Sequence, residues 1–210
     1  MSSASGSDSE REVLVQGLRG LDLSLSPDVV DRLLAYRDLL AKWNRAYNLT
    51  AVRDPREMIH RHLVDSLIAL PHVQGRRILD MGTGAGLPGI PFAIVAPERQ
   101  FTLLDANGKK TRFCTQAVHE LGLDNVEVRQ QRAESFQSDP FDTVCSRAFS
   151  ELALFWSLAR PLLKADGVAL AMKAEPDERE TDALGRTGAR WTRLSLTLGE
   201  RARTAFLIQA

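Results

Sequence analysis

The chain of 210 residues has only two cysteines, Cys114 and Cys145. They form no CxxC pair and fall in different predicted elements. That excludes a disulfide framework and a thiolate metal site, and suits a reducing compartment. No apolar run approaches the roughly 18 residues of a membrane span. The opening "MSSASGSDSE" lacks the basic-then-apolar order of a signal peptide. A soluble, cytoplasmic protein is expected, with residues 1–10 a disordered tail. An excess of one charge is missing too: Lys+Arg and Asp+Glu are both 27, a formal net charge of +0. Proteins that grip nucleic acid through bulk charge carry a basic excess. Any such binding here needs a local patch or a preassembled target. The phosphate-loop pattern GxxxxGK[ST] is absent, which argues against an NTPase. There is no internal repeat.

What is present is a 44% hydrophobic content, enough for a sizeable core. Residues 11–72 read as a helical region. In "SPDVVDRLLAYRDLLAKWNRAY", Ser26 is the expected N-cap and Pro27 opens the first turn. Val30, Leu33, Leu34, Leu40 and Trp43 give the apolar stripe. In "DPREMIHRHLVDSLIAL", Asp54 caps, Pro55 follows and Glu57 is the capping-box acid. Ile59, Leu63, Leu67 and Leu70 form its buried face. From Arg76 the pattern alternates. "RRILDM", "QFTLLD", "NVEVRQ", "FDTVCS" and "GVALAMK" are strands, separated by helices that include "KKTRFCTQAVHELG" with Gly122 as its stop. Such alternation implies a parallel sheet covered on both faces. After a polar stretch, "WTRLSLTL" and "RTAFLIQ" form an antiparallel hairpin around a charged turn.

The stretch "LDMGTGAGLPGIP" follows the first strand, where open parallel sheets bind ligands. Gly82, Gly84, Gly86 and Gly89 fall within eight residues there, with Thr83 between the first two. Glycine permits positive φ and removes the Cβ that would hold a ligand off. Gly84–Gly89 matches the dinucleotide string GxGxxG, but starts late. The better-placed register is Asp80-x-Gly82-x-Gly84-x-Gly86. An acid two residues before the first glycine would repel a pyrophosphate and suit a cofactor bearing a cationic amino acid. Asp105 ends the second strand, where a carboxylate accepts from ribose hydroxyls. Two acids and no lysine in the turn favour S-adenosylmethionine. With the terminal hairpin, residues 73–210 read as a Rossmann-like class I methyltransferase domain, an α/β fold with a seven-stranded, mostly parallel sheet.

"KWNRAYNLTAVRDPREMIHRHLVDS", "DMGTGAGLPGIP", "FTLLDANGKKTRF" and "VCSRAF" resemble the bacterial small-subunit ribosomal RNA methyltransferase G family, also called glucose-inhibited division protein B. The resemblance runs from about Leu33 to Lys173. It implies methyl transfer from S-adenosylmethionine to N7 of guanine 527, in rRNA numbering, in the 530 loop of 16S rRNA. It places cofactor contacts at Gly82, Leu87, the Ala133–Glu134 pair and Arg147. The expected partner is 16S rRNA in the small subunit or its precursor, met by a monomer with no metal and no membrane.

Guanine N7 is an in-plane lone pair without a proton, so its methylation requires no general base, and no triad is evident. Arg147 follows the fourth strand in "SRAF", where amino-group methyltransferases carry (N/D/S)PP(Y/F). It is a candidate for the base or the cofactor carboxylate, unless Asp142 or Glu151 pairs with it. Lys109, Arg132 and Lys173 lie just past strands and are assigned to rRNA phosphates or the guanine. Lys110 and Arg112 read as a solvated face. Arg53, Arg56, Arg61 and His62 are candidates to extend the patch. Trp43 and Tyr47 read as packing that docks their helix, ahead of base stacking. Asn44, Asn48 and Thr50 structure a turn or line the pocket. His60 and His62 lack metal-ligand spacing. His62, Asp65 and Ser66 mimic a charge relay without an oxyanion turn. Cys145 reads as a buried structural thiol. Three alternatives stay open: a methyltransferase acting on another RNA site, a protein or a small molecule; an NAD(P)-dependent oxidoreductase; and a non-catalytic ribosome-assembly module.

Overall fold

The computed structural model describes residues 4–21, 23, 25–147, 149, 151–173, 178–198 and 201–210. Two leucines four residues apart, Leu14 and Leu18, are buried. They anchor helix α1 (Ala4–Gly17). The expected disordered tail is therefore helical from Ala4 onward. Its polar composition hid an anchor further along: Glu10 pairs with Arg37, whose side chain is 4% exposed.

Helix α2 (Pro27–Tyr47) begins as expected, with the Ser26 hydroxyl accepting from the Val29 amide at 3.4 Å. It buries Val30, Leu33, Leu34, Tyr36 and Leu40. It stops at Asn48, in the left-handed region with φ 50, a conformation asparagine tolerates. The second helical run is broken into three. The Asp54 carboxylate caps α3 (Pro55–Met58), a π-helical turn spans Ile59–Val64, and α4 covers Asp65–Leu67. Ile59, Leu63, Leu67 and Leu70 are buried along it.

The sheet holds β1 (Arg77–Met81), β2 (Gln100–Asp105), β3 (Val126–Gln130), β4 (Phe141–Arg147), β5 (Leu163–Lys173), β6 (Arg190–Leu198) and β7 (Arg201–Gln209). Their order is β3-β2-β1-β4-β5-β7-β6. β1 to β5 pair in parallel, while β7 runs antiparallel to both β5 and β6. This is the expected Rossmann-like methyltransferase sheet. The hairpin strands are as expected, although their turn, residues 199–200, lies outside the described residues.

Helices α5 (Gly89–Val95) and α6 (Gly108–Glu120) follow β1 and β2; α7 (Leu152–Ala159) and α8 (Glu178–Gly185) flank β5. One buried cluster runs without a break from Leu14 and Leu40 through Met58 and Leu67 to Ile78, Phe92 and Phe113. The N-terminal helices thus share a core with one face of the sheet. A second cluster, with Phe155, Trp156, Leu184 and Phe206, fills the other face. No helix among the described residues is long and apolar enough to cross a membrane.

Candidate active site

The glycine turn leaves β1 at the carboxyl end of the parallel strands. Gly82, Gly84 and Gly86 take φ of 73, 61 and 85, values that non-glycine residues adopt rarely. The turn's amides are engaged inside the protein. Those of Gly82 and Thr83 donate to the Leu104 carbonyl at 2.8 and 3.0 Å, and those of Gly86 and Leu87 to Thr83. The Gly84 amide donates to Asp105 at 2.9 Å and the Gly89 amide to Asp80 at 2.8 Å. A phosphate-binding turn points such amides at its ligand; this one does not. The geometry disfavours a pyrophosphate and fits an uncharged nucleoside with an amino-acid tail. Gly82 is exposed, and the nearest atom to a Cβ placed there is on the Phe149 ring, 3.8 Å away. A ligand therefore approaches bare backbone.

The two acids sit in different surroundings. Asp80 is fully buried. Its Oδ2 accepts from the Thr83 hydroxyl at 2.7 Å and from Gly89. This corrects the expectation that it simply faces the ligand: Asp80 first ties the two ends of the turn together. Its Oδ1 is buried with no hydrogen-bond partner among the described residues. Burial pushes the carboxyl up to about 6. An unsatisfied buried acceptor of this kind suits a cationic group nearby. The Asp105 carboxylate accepts from Gly84 and from the Asn107 amide at 2.8 Å, with the Lys110 ammonium 3.8 Å away. Each carboxylate oxygen has a second lone pair, so acceptor capacity remains for hydroxyls.

Arg147 ends β4, and no acid among the described residues bonds to it. Its Nη1 donates to the Arg61 carbonyl at 3.1 Å, and its Nη2 lies 3.3 Å from His62 Nδ1. The alternative partner Asp142 instead accepts from the Arg76 and Arg77 amides and from Lys164. Burial lowers the pKa of Arg147. His62 is itself buried, so it cannot extend a surface patch. Burial first, and Arg147 second, push it down to about 4, and the ring is neutral. The apparent relay dissolves as well: Asp65 accepts two bonds from Arg203, at 3.0 and 2.7 Å.

The other cations diverge. Lys109 and Arg132 are exposed near the ends of β2 and β3, with Ala133 half-buried and Glu134 exposed beside them. Lys173 pairs with Glu180 and donates to the Phe149 carbonyl at 3.5 Å. Arg53, Arg56 and Arg61 are exposed, with Arg61 3.6 Å from Glu57. Leu87 is buried under the turn. Trp43 packs edge-on against Phe113 of α6, ring centroids 5.7 Å apart, and Tyr47 stacks on Trp43. Asn44 holds the turn after α2, donating to the Val52 carbonyl and accepting from the Thr50 amide. Cys145 is buried and its thiol pushed up by burial, which suits a structural role. No group of metal ligands is found among the described residues.

Sequence reasoning passed over two residues. Tyr36 is fully buried in α2 and its hydroxyl donates to the Ala85 carbonyl in the glycine turn at 2.6 Å. Its signal was position: a tyrosine within the buried stripe, which needs a partner for its hydroxyl. Phe149 of "SRAF" stands before Gly82.

A sequence profile for rRNA small subunit methyltransferase G matches residues 30–191. The chain is 51% identical over 175 residues to the ribosomal RNA small subunit methyltransferase G of Methylobacillus flagellatus, covering 83% of this chain and 85% of that one. It is 55% identical over 172 residues to the protein of that name from Marinobacter nauticus, covering 81% and 80%. Among solved structures, an Aeropyrum pernix fibrillarin with natively bound S-adenosyl-L-methionine superposes with a TM-score of 0.56 at 20% identity, over 70% of this chain and 73% of that one. A ribosomal protein L11 methylase from Lactobacillus delbrueckii gives 0.57 at 14% identity, over 71% and 78%. The last two establish the fold; the profile and the close relatives establish that this chain belongs to the rRNA small subunit methyltransferase G family.

Proposed function

We propose that the protein methylates N7 of guanine 527 in the 530 loop of 16S rRNA, with S-adenosylmethionine as cofactor. The observation that carries the cofactor half of the reading is the glycine turn, and family membership supports the rRNA half. The turn's amides are engaged internally, its Gly82 face is open, and a buried acid with an unsatisfied oxygen lies beneath. Bound there, S-adenosylmethionine supplies a methyl group already activated on a sulfonium. Gly82 and Gly84 offer their backbone to its amino-acid side, with Asp80, Thr83, Gly86 and Leu87 buried beneath them in support; Asp105 takes the ribose, and Ala133 and Glu134 flank the base. Arg147 faces the reacting end, with Lys109, Arg132 and Lys173 around the guanine and its phosphates.

The guanine N7 has no proton to lose, so these residues bind, orient and exclude water. Rate enhancement then rests on alignment at near-attack distance. The absence of an amino-group methyltransferase motif at "SRAF" favours a ring nitrogen over an exocyclic amine. The protein acts as a cytoplasmic monomer on the small subunit or its precursor. The helical region and the methyltransferase domain divide near residue 72. Primer extension after N7-specific cleavage of rRNA from a deletion strain tests the target. The stop at guanine 527 is expected to vanish and to return on complementation; an unchanged stop in the deletion strain overturns the reading.

A further inference from the structure

Arg147 bonds, among the described residues, to a neutral group, whereas Lys173 pairs with Glu180. The acids near it are engaged elsewhere, Asp65 with Arg203 and Asp80 with Thr83 and Gly89. What holds the guanidinium is the Arg61 carbonyl; His62 Nδ1 lies 3.3 Å from Nη2 and gives its proton to the same carbonyl, so that it orients this acceptor instead of accepting from Arg147.

The π-helical turn makes that seat. In an α-helix the Asp65 amide would bond to the Arg61 carbonyl, four residues back. Here it reaches the His60 carbonyl, five back, and the His62 carbonyl. The Arg61 carbonyl, passed over by Asp65, accepts from Arg147 Nη1 at 3.1 Å and lies 2.9 Å from His62 Nδ1. A carbonyl has two lone pairs, and both donors converge on this one. The opposite ring nitrogen is held by Thr50. The Arg61 carbonyl can only accept, so the proton is on Nδ1, and the Thr50 hydroxyl, which accepts from the Val52 amide at 3.2 Å, donates its own proton to Nε2 at 2.9 Å. That assigns a neutral imidazole with its proton on Nδ1. π-bulges within helices occur often at functional sites.

We propose that this is a neutral seat for Arg147, with His62 its positioning residue, so that the full positive charge of the guanidinium is kept for an oxyanion of the bound ligand. The inference rests on the assignment of Arg147 to the site. An arginine seated on an acid is already half-answered; one seated on a carbonyl that a neutral imidazole holds in place keeps its unused N–H groups and its charge for a carboxylate or phosphate. The oxyanion is either the cofactor carboxylate or an rRNA phosphate.

The test compares His62→Gln with His62→Glu. Gln keeps the seat neutral, whereas Glu places a carboxylate against Arg147. His62→Gln is expected to retain kcat/KM within about threefold, and His62→Glu to lose about tenfold or more, roughly 1.4 kcal/mol. In an Arg147→Ala background the two should become equal. A parallel fall in affinity for S-adenosylhomocysteine identifies the carboxylate; a rise in KM for small subunits at unchanged cofactor affinity identifies the phosphate. Equal losses for Gln and Glu overturn the seat, as does a Glu effect that persists without Arg147. If Arg147→Ala alone leaves both activity and cofactor affinity intact, the site assignment fails instead. Nitrogen-15 NMR of labelled histidine in the parent protein is independent of any variant. A neutral His62 protonated on Nδ1 at pH 7 is expected; an imidazolium, or a proton on Nε2, overturns the proposal.

Discussion

At the scale of single residues, the site stores its chemistry in two buried groups that titrate in opposite senses. Asp80, held at about 6 in the folded protein against an ordinary 3.8, favours folding when protonated. Its contribution is complete below the ordinary value and is lost as pH rises through 6. His62, held at about 4, favours folding when neutral, and its contribution is lost as pH falls. Between pH 4 and 6 the two oppose one another, so the parent protein alone reports neither. The difference between parent and Asp80→Asn isolates the acid. Relative to the parent, Asp80→Asn is expected to be more stable at pH 7 than at pH 5 by about 1 kcal/mol. Urea unfolding at the two pH values measures this, and a pH-independent difference contradicts it. The same variant removes the buried negative charge proposed to meet the cofactor's ammonium, and is expected to weaken S-adenosylhomocysteine. Gly82 provides the second residue-scale case. A β-branched side chain at φ 73 strains the backbone by about 1–3 kcal/mol and occupies the open face. Gly82→Val is expected to remain folded by circular dichroism and to show no cofactor binding by calorimetry.

At the scale of elements, most of the helices and strands were legible because their signals are local. Ser26–Pro27 and Asp54–Pro55 announce helix starts by their own chemistry, and the apolar runs between glycines announce buried strands. The π-helical turn was not legible. A shift of one residue in hydrogen-bond register at Ile59–Val64 leaves no trace in composition or period, since the apolar stripe survives it. The site was legible in the same proportion. Asp80, Asp105 and the glycines lie in one short window or at a strand end. Tyr36, Thr50 and His62 reach the site from other elements, and only packing brings them there. Tyr36 is the sharpest example, since it links α2 to the turn through one hydroxyl. Tyr36→Phe keeps the ring against Phe113 and deletes that bond. It should cost about 1–2 kcal/mol, lowering Tm by about 2–8 °C, and weaken S-adenosylhomocysteine by a similar free energy. Unchanged affinity alongside a lowered Tm would make the link purely structural.

At the scale of the whole molecule, the helical region and the sheet share one core rather than two. Leu14, in α1, is fully buried in the same cluster as Ile78 and Phe101. Leu14→Ala is expected to cost about 2–5 kcal/mol, and parent and variant alike should unfold in a single transition by fluorescence and by circular dichroism. Two separate transitions would show that the helices melt independently of the sheet. The expectation of a disordered beginning gives way to helix over residues 4–10, while residues 1–3 lie outside the described residues. "ASGSDSE" carries no strong helix signal of its own, and its helix is anchored through Arg37 and leucines further along the chain.

The placement of β7 has one more consequence, for the order in which the chain is made. β7 follows β6 in sequence yet lies inside it, between β5 and β6, with Ala205, Phe206 and Ile208 fully buried. During synthesis β5 emerges with an unpaired edge, and β6 emerges with no neighbour to join. Only when residues 201–209 follow can the gap close, in a single step that completes the sheet and brings Arg203 onto Asp65. Until then the nascent chain presents two open strand edges, the form most prone to pair with other chains.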